Sequence, residues 1–208
     1  MKLFEKQEFP ELTRIYKLAL LPVAVALSFV IPLIVRDTLR IPLFLDTTGT
    51  VLVAMIAGPW WAVAEGLLLV TVRAILRGPL QFTGILTFGV GGIFFGYAVK
   101  YGWTKTWPRI AVLMVAFAFI LSICSATTAT FVYGGFTGDP WDIFIAAGTK
   151  LIGSIWFSLL AIQFVISIID KSVVTVLVIA ILSRLPPRFR KLSPITSKST
   201  PSETKSTT

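Results

Sequence analysis

The sequence predicts an all-α, polytopic membrane bundle, and three observations predict it. Of 208 residues, 55% are apolar and only 14% are charged. The mean hydropathy is +0.85, and the apolar residues fall into runs near the ~20 needed to cross a ~30 Å hydrocarbon core. The +9 formal charge gathers in loops and tails, as topology signals do and nucleic-acid sites do not. With one cysteine and no histidine, an internal disulfide, a Cys/His metal centre and a histidine-based catalytic relay are all excluded.

The chain is organised around Phe44 to Arg77, FLDTTGTVLVAMIAGPWWAVAEGLLLVTVRAILR. Gly58-Pro59 divides it, because proline removes a backbone donor and glycine tolerates the turn. The stretch reads as a membrane helical hairpin, with Trp60 and Trp61 anchoring one interface. At the other end Asp46, with Thr47, Thr48 and Thr50, is placed to cap the entering helix. That end forms a polar rim with Arg73 and Arg77.

Residues 1–17 read as an interfacial segment of mixed charge, residues 18–186 as one transmembrane bundle and residues 187–208 as a basic, disordered tail. In the bundle, Leu18 to Val35 spans, bent rather than broken at Pro22 and Pro32. Its Ala24-xxx-Ser28 pair gives it a small-residue face suited to close helix contact. After the hairpin, Gly78-Pro79 turns the chain into Leu80 to Val99, whose glycines, Gly92-xxx-Gly96 among them, call for close approach of another backbone or a ligand. Ile110 to Tyr133 spans next and ends at Gly134-Gly135.

Trp141 to Ile169 is apolar apart from Asp142, Lys150 and Gln163, and a single crossing there before Asp170-Lys171 would put the Arg184, Arg188, Arg190, Lys191 cluster outside. Segment 1–17, loop 100–109 and the tail together with Arg184 just before it hold thirteen of the nineteen basic residues, so those three regions share the cytoplasmic side and the crossings are even in number. A re-entrant or folded-back pair turning near Leu151 to Ser154 satisfies that count. It leaves Asp170-Lys171 to open a sixth and last transmembrane helix.

Charged groups inside a membrane are costly unless paired or hydrated, which makes them candidates for a binding site. Glu65, Leu69, Arg73 and Arg77 share one helix face by their i, i+4 spacing. The candidate substrate-binding residues are Asp46, Thr47, Glu65, Arg73, Arg77, Asp170 and Lys171. Each has a structural alternative: arginines snorkelling to the interface, Glu65 in an internal pair, Asp46 as a cap, and Asp170-Lys171 as a boundary pair. Phe82, Phe131, Tyr133, Phe136 and Trp141 could stack on a flat ligand or anchor the interface.

The run LDTTGTVLVAMIAGPWWAVAEGLL, the glycine-rich helix after it and the late Asp-Lys leading to LSRLPPR resemble the substrate-binding S component of an energy-coupling factor (ECF) transporter. The resemblance covers most of residues 12 to 190. It implies six membrane helices, a vitamin or related small molecule bound near the extracellular side, and no cofactor. It also implies assembly with a transmembrane coupling protein and two cytoplasmic ATPases. The first helix of that family often docks through Ala-xxx-Ala. The matching pair here is Ala24 and Ser28, a departure that keeps both residues small, and Glu65 is a second departure in a hairpin that is mostly apolar.

No phosphate-binding loop, dinucleotide fingerprint or nucleophile elbow is present, so the chain is read as no enzyme and its transport would be driven by separate ATPases. The alternative is a stand-alone membrane protein, either a secondary transporter or a membrane enzyme. The first usually shows two matching halves with interrupted helices, and the second needs a deeper polar constellation.

Overall fold

A computed structural model describes residues 13–39, 41, 43–136 and 142–184. The expected disordered tail and most of the expected interfacial segment lie outside the described residues. Among those described, every regular element is helical. Five helices are long and apolar enough to cross a membrane, and the protein is a multi-pass helical membrane bundle.

Helix α1, Arg14–Pro32, is continuous across Pro22 and is followed by a π-helical stretch over Leu33–Thr38. It begins inside the segment expected to lie at the interface. Helix α2 is Thr48–Ala57 and α3 is Pro59–Arg77, joined by Gly58 at φ 96°. A side chain strains at that φ and glycine does not, so the hairpin turns where the sequence places it.

The expectation of six spans resolves into five long helices and one of half length. At ten residues α2 is about 15 Å long, and all ten are buried. Residues 43–47 before it are non-helical, and the Leu45 amide donates to Asp170 Oδ1 at 2.7 Å. Because Asp170 lies midway along the last helix, α2 starts in the bundle interior rather than at its rim. Irregular backbone is tolerated at such depth when protein surrounds it.

A 3-10 turn, Pro79–Thr83, leads into α4, Gly84–Lys100, followed by α5, Trp107–Tyr133. Gly92 and Gly96 of α4 serve helix contact. A Cβ on Gly96 would lie 2.3 Å from Pro59 Cα, and one on Gly92 would lie 3.0 Å from the Ala62 backbone. Small residues let these backbones meet, which is how helices associate where lipid is as apolar as leucine.

The fold-back comes where it is expected, but its second arm does not return. Helix α6, Asp142–Ile152, ends at Gly153, whose φ is 75°. Helix α7 then runs unbroken from Ile155 to Arg184. Asp170 and Lys171 therefore do not open a last helix. They lie inside a 30-residue one, at 0% and 4% exposure. Helix α6 lies against the first half of α7, with Gly148 beside Ser158.

Candidate substrate cavity

A polar cavity of about 180 Å³ opens among α3, α4, α5, α7 and the segment between α1 and α2. Its wall contains four of the seven predicted binding residues: Asp46, Thr47, Arg73 and Lys171. The segment that precedes the half-helix α2 brings Asp46 to Arg73 and Lys171, residues that are remote in sequence.

Arg73 is the central cation. Its Nη1 donates to Asp46 Oδ2 at 3.4 Å and its Nη2 to the Ser28 carbonyl at 3.2 Å. The guanidinium carbon stands 5.2 Å from the Phe88 ring centroid, a cation–π distance. Lys171 Nζ is 2.6 Å from Asp170 Oδ2 and 3.7 Å from Asp46 Oδ1. Asp46 thus faces two cations, of which Lys171 makes its closer bond to Asp170.

The structure corrects the expected capping roles. Neither Asp46 nor Thr47 caps α2, which has no side-chain cap of its own. Asp46 is drawn to the cations, Thr48 Oγ1 donates to the Leu45 carbonyl at 2.7 Å, and Thr50 Oγ1 donates to Glu65 Oε2 at 2.6 Å. The orphan N–H of Gly49 is instead accepted by Ser28 Oγ of α1 at 2.8 Å. Thr47 is among the residues lining the cavity, and its buried Oγ1 has no hydrogen-bond partner among the described residues.

Three predicted residues lie away from the cavity surface. Glu65 is fully buried behind it, accepting from Ser28 Oγ at 3.0 Å and from Thr50. It joins α1, α2 and α3, which is the internal pairing left open as its alternative. Asp170 lies behind Lys171, accepting from the Leu45 amide. Arg77 is at the rim, paired with Asp37 and stacked on Phe29.

Ala24 and Ser28 are each 0% exposed. A Cβ on Gly49 would come 2.1 Å from the Ala24 carbonyl oxygen and 2.5 Å from Ser28 Oγ. The small-residue face expected to meet a coupling protein is therefore occupied by the chain's own α2.

The sequence reading missed Arg36 and a neutral polar wall made of Gln81, Thr83, Thr87, Ser125, Thr128, Gln163 and Ser167. A signal for part of it exists: Gln163, Ser167 and Lys171 recur every fourth residue and share one face of α7. Of the aromatic residues proposed for stacking, Tyr133 lines the cavity. Its hydroxyl donates to the Leu80 carbonyl at 3.1 Å, tying α5 to the 3-10 turn. Phe82, Phe131 and Phe136 are exposed, and Trp141 lies outside the described residues.

Fold and site together define a multi-pass membrane protein with a solute-sized, cation-rich cavity inside its helices. Comparisons with protein-family models, curated proteins and solved structures gave no match.

Proposed function

We propose that the chain is the membrane-embedded substrate-binding subunit of an ATP-driven importer of the ECF type, taking up a vitamin or related small molecule. The observation that carries the reading is the cavity itself, in which Arg73, Lys171 and Asp46 converge with neutral hydroxyls and amides. Polar groups converging on a concave space between helices can fix the orientation of a small molecule bound there. The sequence has no phosphate-binding loop, so the energy for uptake comes from a transmembrane coupling protein and two cytoplasmic ATPases. With Ala24 and Ser28 enclosed, the coupling protein meets helix surface elsewhere on the bundle.

Purification from native membranes should bring down the coupling protein and the ATPase pair, and uptake into vesicles should require ATP. Uptake by the purified chain alone, driven by an ion gradient, would replace this reading with that of a secondary transporter.

The basic-residue asymmetry supports a cell-membrane orientation with both termini and loop 100–109 in the cytoplasm. Trp107 and Phe136 are both exposed, at the N-terminal start of α5 and just beyond its C-terminal end. In a Cys124→Ser background, an impermeant maleimide added to intact cells should label Phe136→Cys and spare Trp107→Cys. The reverse pattern would invert the orientation.

A further inference from the structure

The contacts of Asp46 are unusual for a carboxylate between two cations. Its approaches to Arg73 and Lys171, 3.4 and 3.7 Å, exceed the ~2.7–2.9 Å of a charge-assisted hydrogen bond. Lys171 makes its close bond, 2.6 Å, to Asp170. Asp170 is fully buried and also held by the Leu45 amide, whereas the Asp46 side chain retains 22% exposure.

The segment that carries Asp46 is held in a strained form. Leu45 has φ 47°, the one positive value at a non-glycine residue among those described, and this region is unfavourable for a branched aliphatic side chain. Two residues on, Thr47 lines the cavity, and its buried hydroxyl has no hydrogen-bond partner among the described residues. A buried polar group left unpaired is costly, and a bound solute would give it one. The charged groups lining the cavity are three cations, Arg36, Arg73 and Lys171, against Asp46 alone.

From this geometry we infer that the cavity takes a solute bearing an oxyanion, a carboxylate or a phosphate ester, which displaces Asp46 from Arg73 and Lys171. The Asp46 carboxylate occupies the anion position in the empty site. The incoming group replaces its long contacts with short ones to the same donors and supplies an acceptor to Thr47. Arginine suits the task because its fork offers several fixed N–H donors to a planar oxyanion. The inference deepens the function proposed above and rests on it only in taking the cavity as a solute site.

The test uses the purified full-length chain in detergent, with sodium acetate and sodium phosphate as probes and sodium chloride at matched ionic strength as reference. A ligand that binds only the folded state raises the thermal midpoint. Acetate or phosphate should raise it above chloride, and the preferred probe distinguishes a carboxylate solute from a phosphate ester. Asp46→Asn removes the competing charge at nearly constant shape and should reach the same shift at about tenfold lower probe concentration. Arg73→Gln should lose the specific shift, and what remains in that variant measures general salt stabilisation.

No oxyanion-specific shift in either the wild type or Asp46→Asn would overturn the inference. So would a weaker response in Asp46→Asn, which would make Asp46 a direct ligand contact. The gain expected of Asp46→Asn cannot arise from misfolding, and if that variant does not fold, the wild-type comparison decides. Because the readout needs no coupling protein or ATPase, a negative result here leaves the importer reading standing, and a failed co-purification leaves this one standing.

Discussion

Asp170→Ala is expected to destabilise the protein by about 3–5 kcal/mol, the range for breaking a buried ion pair by removing one partner. The side chain is 0% exposed and joins two elements, bonding Lys171 Nζ at 2.6 Å and the Leu45 amide at 2.7 Å. Its loss leaves Lys171 with only the 3.7 Å contact to Asp46 and leaves the Leu45 amide without its acceptor in the bundle interior. Most of the cost comes from the stranded ammonium, so Asp170→Asn with Lys171→Met should recover much of it, because the asparagine oxygen still accepts from Leu45 while the charge is gone. Denaturant titration of detergent-purified protein measures both variants. Equal destabilisation by Asp170→Ala alone and by Asp170→Ala combined with Lys171→Met would show that the pair is not energetically coupled, and Asp170 would then act through the Leu45 contact alone.

That pair also marks the limit of what the sequence discloses. Gly58-Pro59 and Gly153 announce their turns because the backbone chemistry of glycine and proline is local. Asp170-Lys171 is ambiguous for the opposite reason. Two charges in an apolar run look the same whether they end a helix at the water interface or sit inside one, and the deciding group, the amide of Leu45, arrives from far away in the chain. The cavity divides the same way. Arg73 and Asp46 stand out as charges facing a polar rim, whereas Arg36 reads as an ordinary boundary arginine until the fold places it on the cavity wall. Ser28 is the sharpest case: its small size forecasts close helix contact correctly, but size alone does not say which helix it meets.

Ser28→Leu should therefore damage folding and ligand binding together, and not assembly alone. Ser28 Oγ donates to Glu65 and accepts from the Gly49 amide, within a contact so close that even a methyl group on Gly49 would overlap the Ala24 carbonyl. A leucine there strands both partners and forces α1 from α2. Overpacking commonly costs about 1–3 kcal/mol, and each unsatisfied buried group adds about 1–3 kcal/mol more. The Ser28 carbonyl also accepts from Arg73, so moving α1 shifts the cavity's central cation. Ser28→Ala keeps the volume and loses only the hydroxyl bonds; its cost should be the smaller, with the cavity nearly intact. Size-exclusion profile, thermal midpoint and the oxyanion-dependent shift of the two variants, read together, separate these effects. If Ser28→Leu elutes, melts and responds to oxyanions as the wild type does, yet no longer captures a coupling protein, α1 must present this face outward in the assembled transporter, and the α1–α2 contact is one that assembly opens.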